Sequence, residues 1–206
     1  MGRKAIERYR YKDTKVREKH TIRFMLYFQQ NGIENFSMSK MAADLKMSKT
    51  TIYNHFETKE EVIEAAVDYK LSVIQEYETV LHNLTLPFTE RYRKSMLFFC
   101  VQTFDVSGKL LMQIKEKYPA IFRKVEKFQA EVFFNLKSYY QVGIDIGVFD
   151  QECSPLLLSL HDRQFFELLS NHKILTDNGV EVLDAFKHHY KVKFLGVLNS
   201  DPNQTK

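Results

Sequence analysis

Between Ser48 and Lys59 the chain sets out Lys49, Thr50, Thr51, Tyr53, Asn54, His55 and Lys59, short hydrogen-bonding side chains flanked by longer ones. On a helix at about 100° per residue, Ile52 and Phe56 share one side and Thr50 and Asn54 the opposite one, with Thr51 close by. Tyr53 and His55 fall on the flanks, and Lys49 sits in the first turn. That face suits the edges of base pairs in a major groove. An asparagine can pair bidentately with adenine, a lysine can donate to guanine, and a threonine methyl can meet the methyl of thymine. Tyr53 and His55 are placed to reach phosphates, which set register without reading sequence. Lys59 opens the next helix, where free backbone amides also favour phosphate. Ser37, at the start of the preceding helix, completes the candidate nucleic-acid set.

Other chemistries have no comparable support. The chain shows no nucleophile–base pair, no phosphate-cradling glycine loop and no cysteine–histidine spacing suited to zinc, so it reads as a non-enzyme with no metal and no cofactor. Glu60 and Glu61 form a carboxylate pair, but Thr58-Lys59-Glu60-Glu61 is a capping box and accounts for them.

The candidate face must be held by its neighbours. The apolar positions Val16, Ile22, Met25, Leu26 and Phe28 mark a first helix from about Asp13 to Asn31, which Gly32 ends. Ser37 caps a second, two-turn helix with an apolar stripe at Met38, Met41, Ala42 and Leu45. Lys46 and Met47 make the turn, Ser48 caps the helix running to about Phe56, and Thr58 opens a long helix running on to Leu81. The remainder is helical too. One segment runs from Arg91 to about Phe104, and another starts at Pro119, with Ile121, Val125, Phe128, Val132, Leu136 and Tyr139 at three- and four-residue steps. Gly143 and Gly147 mark its end. Ser154-Pro155 opens a helix through Leu169, and Val182 to Val197 form the last. The fold class is all-α: a three-helix N-terminal domain with a helix-turn-helix, then a larger helical domain. The expected division is residues 1–58 and 59–206, with the helix from Thr58 as connector.

Charge follows the same division. Residues 1–59 hold 13 Lys/Arg against 6 Asp/Glu, a net of +7, and the rest hold 17 against 20, a net of −3. Arg3, Lys4, Arg8, Arg10 and Lys12 form a basic arm ahead of the first helix. With 44% hydrophobic and 27% charged residues among 206, the composition is that of a folded domain. No apolar run spans a bilayer, and the basic N-terminus has no apolar segment behind it, so no membrane association and a cytoplasmic location are expected. Two distant cysteines, Cys100 and Cys153, suggest a reducing compartment.

Residues from Gly32 to about Tyr69 resemble the DNA-binding domain of the TetR family of transcriptional regulators. The residues that carry the resemblance are Gly32, Phe36-Ser37, Met41-Ala42, Leu45, Met47-Ser48, Thr51 to Phe56 and Lys59 to Val62. The order Tyr53-x-His55-Phe56-x-x-Lys59-Glu60-Glu61 is its most specific part, and Lys46 stands where glycine is common. The resemblance implies a homodimeric repressor on a palindromic operator, with a second domain that dimerises and binds a small apolar or aromatic effector. The segments 156–169 and 182–197 are the candidate dimer bundle. Phe99, Phe104, Tyr139 and Phe165 are the candidate effector contacts, though aromatic residues at helical spacing also simply fill cores. Asp105, His161, Asp162 and Arg163 are polar residues in or beside apolar stretches, with no ranking among them. The alternative is a ligand-independent DNA-binding adaptor controlled by a protein partner.

Overall fold

The computed structural model of the chain describes residues 14–170 and 172–196. The basic arm and Val197 lie outside them. No strand occurs among the described residues, and the chain is all-α. The helices are α1 (Thr14–Asn31), α2 (Met38–Asp44), α3 (Lys49–Tyr53), α4 (Lys59–Gln75), α5 (Tyr77–Leu81), α6 (Phe88–Phe104), α7 (Gly108–Lys117), α8 (Pro119–Asp145), α9 (Pro155–Ser170), α10 (His172–Asp177) and α11 (Val182–Phe194). None is long and apolar enough to cross a membrane.

Packing groups the chain into two compact units. Among the described residues, the first joins 14–73 with 109–127, so α7 and the start of α8 pack with the N-terminal helices. Its core holds Phe24, Phe28, Met41, Ile52, Phe56 and Val62. Gly32 ends α1 at φ +65°, its N–H bonded to the carbonyl of Phe28 at 2.8 Å. The next residue fixes the loop: the N–H of Ile33 donates to Oε1 of Gln113 on α7 at 2.9 Å. Lys124 on α8 meets Asp68 at 2.7 Å and Glu64 at 2.8 Å on α4.

The second unit joins, among the described residues, 74–108 with 128–196. At its centre lies Asp162, on α9 and fully buried. Its Oδ1 accepts from the hydroxyl of Tyr92 on α6, from Nε2 of His189 at 3.0 Å and from Nζ of Lys193 at 2.6 Å, the last two on α11. Its Oδ2 accepts from the hydroxyl of Tyr140 on α8 at 2.5 Å. A carboxylate only accepts, so Nε2 of His189 carries the proton of this contact. Burial by itself pushes the Asp162 carboxyl up. The bonds from His189, Lys193 and Tyr140 and the charge of Lys193 more than offset this and hold it below the usual range. Burial pulls the Lys193 ammonium below its usual value, and the charge and hydrogen bond of Asp162 offset part of that. One carboxylate therefore ties together four helices.

Several elements differ from the sequence expectation. The helix from Thr58 is interrupted at Glu76. Just past the break Tyr77 is held by tertiary bonds: its carbonyl accepts from the buried hydroxyl of Ser95 at 2.6 Å, and its phenol accepts from Asn135 at 2.9 Å. Helices α7 and α10 stand where the sequence pattern gives only connections. The apolar contacts of α7, Leu110 and Ile114, are too few to stand out in sequence. Helix α8 runs through Gly143, which has no side chain because the ring of Phe149 lies where a Cβ would stand, 2.3 Å away.

Asp162→Asn leaves the Lys193 charge buried without its partner, so it is expected to lower unfolding stability by about 3–5 kcal/mol at neutral pH. In the natural chain the contribution of Asp162 is complete above the ordinary carboxyl value of about 3.9 and is lost as pH falls below it. Denaturant titration of both proteins across that range measures both effects.

Candidate nucleic-acid interface

Helix α3 has five residues and two neighbours that fix it. Ser48 caps it, accepting from the N–H of Thr51 at 3.0 Å, and the two hydroxyl groups meet at 2.8 Å. Ile52 and Phe56 are fully buried, as their shared side of the helix requires. Lys49 and Thr50 are exposed, and Tyr53 is 39% exposed. Asn54 is half-buried and forms the C-cap, its N–H bonded to the carbonyl of Thr50 at 2.9 Å. The expected helix to Phe56 thus ends two to three residues early, although the N–H of Phe56 still bonds to the carbonyl of Ile52 at 2.9 Å. Ser37 is exposed and caps α2, its hydroxyl accepting from the N–H of Lys40 at 3.2 Å.

The turn between α2 and α3 is tight. Lys46 has φ +51°, a left-handed conformation, and it bonds through its N–H to the carbonyl of Ala43 at 3.1 Å. Its side chain is exposed. The departure from glycine at this position therefore carries a backbone cost, since a Cβ crowds the carbonyl there. Two α1 residues brace α2: Arg23 donates to the carbonyl of Leu45 at 2.5 Å, and the hydroxyl of Tyr27 donates to Asp44 at 2.9 Å.

Lys59, exposed, is the first residue of α4. The hydroxyl of Thr58 accepts from the N–H of Glu61 at 3.1 Å, as in a capping box. The return bond is shifted by one residue: Oε2 of Glu61 accepts from the N–H of Glu57 at 2.6 Å. Its Oε1 accepts from Arg17 of α1 at 2.9 Å. Arg17 also donates to the carbonyl of His55 and lies over the ring of Phe56, 4.3 Å from its centre. Sequence reading passed over Arg17. The signal was there, because it precedes Thr21 by four and Phe24 by seven, the spacing of the buried stripe of α1.

His55 differs from its expected outward placement. Its half-buried ring sits 5.4 Å from that of His20 on α1, and its Nδ1 is buried without a hydrogen-bond partner. Lys49, Thr50 and Tyr53 remain on the open side of α3, with Thr51 half-buried in its middle and Asn54 half-buried at its C-cap.

In the second unit the aromatic candidates sit in two groups of rings. Phe99 packs on Tyr77 at 5.6 Å and on Phe166 at 4.7 Å. Tyr139 stacks on Phe88 at 4.4 Å and donates its hydroxyl to the carbonyl of Phe88 at 2.9 Å. Phe165 stacks on His189 at 4.0 Å, and Phe104 is half-buried on the last turn of α6. Of the four unranked polar residues, Asp162 is buried, whereas Asp105, His161 and Arg163 are exposed. Among the described residues no three His, Cys, Asp or Glu side chains gather as a metal site would require.

These features, an exposed polar face on a capped helix behind a tight turn and braced by α1, define a helix-turn-helix. Residues 27–66 match the family model described as bacterial regulatory proteins, tetR family. The fold is similar to that of PfmR, a TetR-family transcriptional regulator from Thermus thermophilus, at TM-score 0.69 and 19% identity, covering 90% of this chain and 100% of that one. It is also similar to the transcriptional regulator FadR from Bacillus subtilis, solved with stearoyl-CoA (TM-score 0.67, 13% identity, 90% and 100% covered). A third similar structure is AibR, solved with isovaleryl coenzyme A and operator DNA (TM-score 0.64, 15% identity, 86% and 98% covered). A comparison with curated proteins gives no match. Residues 27–66 thus match the tetR family model, and the fold is that of the similar TetR-family structures.

Lys46→Gly removes the Cβ from the left-handed position, and it is expected to raise unfolding stability by about 1 kcal/mol. Chemical denaturation of the two proteins checks it.

Proposed function

We propose that this protein is a sequence-specific transcriptional repressor, which binds a palindromic operator as a homodimer and leaves it when a small effector binds. The observation that carries the reading is the exposure of Lys49, Thr50 and Tyr53 on a helix whose opposite side, Ile52 and Phe56, is fully buried. In this reading Lys49, Thr50 and Asn54 meet base edges, with Thr51 beside them. Tyr53, Lys59 and Ser37 meet phosphates, and the ring of His55 supports the helix rather than the DNA. The cationic excess of residues 1–59 supplies the nonspecific attraction.

One five-residue helix makes few base contacts, and two copies about 34 Å apart on a palindrome are the usual remedy. The apolar residues left exposed on α9 and α11 support a dimer through these helices: Leu157 and Leu168 on the first, Leu183 and Val192 on the second. Residues 59–206 then form the regulatory part, with α4 as the connector. The effector is small and apolar or aromatic. The similar structures FadR and AibR hold acyl-coenzyme A thioesters, and an acyl chain is such an apolar group. An effector releases DNA only through unequal affinity for the bound and free arrangements of the dimer.

Selection of bound DNA from a random pool tests the reading: a palindromic consensus supports it, and the absence of any consensus removes it. On the selected site, Thr50→Ala and Asn54→Ala are each expected to cost about 1–3 kcal/mol at particular bases. Lys59→Ala is expected to weaken binding to every sequence and to lower the salt slope by about one unit. Competition binding against base-substituted sites separates the two effects. Adding stearoyl-CoA or isovaleryl-CoA to the complex tests the effector class.

A further inference from the structure

Arg17, His20 and Phe24 fall on one face of α1, and this face receives the end of α3. Phe24 meets the ring of Phe56 edge-on at 5.3 Å, and Arg17 covers that ring while donating to the carbonyl of His55. His20 lies between them, 6.3 Å from Phe24 and 5.4 Å from His55, its plane tilted 60° to that of His55. The Nδ1 atoms of His20 and His55 are both buried with no hydrogen-bond partner. A neutral imidazole tolerates this by leaving a lone pair unused. A proton on either ring adds a charge and a second N–H donor where no acceptor stands.

The charged surroundings deepen that cost. Lys19 and Arg23 of α1 add positive charge, as does Arg17. From α4 the carboxylate is Glu61, whose two oxygens are engaged by Arg17 and by the N–H of Glu57. The side chain of Glu57, in the loop after α3, is exposed. Burial first, and then the charges of His55, Arg23 and Lys19, hold His20 below its ordinary value of 6.5.

We propose that His20 is a positioning residue for the recognition helix: its neutral ring seats His55, and a proton on the His20 ring unseats α3, so sequence-specific DNA binding weakens in mild acid. This rests on the DNA-binding reading above. The sign follows from linkage. Above the ordinary histidine value both the seated and unseated forms are neutral and nothing changes. As pH falls below it the unseated form takes up protons first, and the seated form loses ground.

The test is operator affinity at constant ionic strength, on a site selected near pH 7.5. Natural-chain affinity is expected to fall by up to about tenfold by about pH 5.5, the limit for a ring of ordinary value 6.5 that takes up no proton while seated. His20→Phe, a ring that cannot be charged, is expected to keep its own affinity constant over that range. His20→Gln replaces it if the phenylalanine variant does not unfold cooperatively. Affinity that rises in acid would place His55 on a phosphate and overturn the proposal, as would a flat profile or an equal fall in the His20 variant. The second readout needs no DNA. In an NMR titration the amides of residues 53–56 are expected to shift with the His20 ring in the natural chain and not in the variant. Amides that stay still overturn the proposal even if no operator is selected; failed selection alone counts against the DNA-binding reading.

Discussion

A helix of five residues has no stability of its own in water, because nucleation costs more than so few hydrogen bonds return. Helix α3 exists because Ile52 and Phe56 leave water. Each buried side chain of that size contributes roughly 1.5–3 kcal/mol, against an ordering cost of about 1–2 kcal/mol for each residue of the helix. The polar contacts around α3 are arranged about this burial. The two serine caps fix where α2 and α3 begin, Lys46 accepts a strained conformation to turn between them, and Arg17 closes over Phe56. A side chain on the open face of α3 is thereby aimed by residues on its buried face.

The second unit solves a different problem. Its centre carries a buried carboxylate and a buried ammonium, Lys193 being only 5% exposed. A hydrophobic quartet of the same volume could hold four helices together as well, but it would accept sliding and rotation that fixed hydrogen bonds do not. Tyr92, Tyr140, His189 and Lys193 each meet Asp162 from a defined direction, and the aromatic rings around them, Tyr190 and Phe194 among them, exclude water. The same charge makes the arrangement depend on every partner being present.

Most of the N-terminal unit was legible in sequence. Local signals dominate there: the serine caps, Gly32, the stripe of Met38, Met41, Ala42 and Leu45, and the capping box at Thr58 each act within a few residues of themselves. The features that escaped reading all rest on distant partners. Just past the break at Glu76, Tyr77 is held by Ser95 and Asn135, 18 and 58 positions further on. The inward turn of His55 needs His20, which lies 35 positions earlier in the chain. Helix α7 is short, with few apolar contacts to mark it. Asp162 stood out in sequence only as a polar residue beside apolar ones, no different from Asp105, His161 or Arg163.

The sequence by itself determined that the chain is helical, where the helix-turn-helix lies, and which side of α3 is apolar. Periodicity and capping are properties of neighbouring residues, and neighbours are fixed by covalent order. Only the tertiary structure decided that Arg17 and His20 support the recognition helix, that α7 and the start of α8 pack with the N-terminal helices, and that Asp162 is a buried centre rather than a surface charge. Those outcomes depend on side chains tens of residues apart meeting out of water, where the value of a charge or a hydrogen bond is set by what surrounds it.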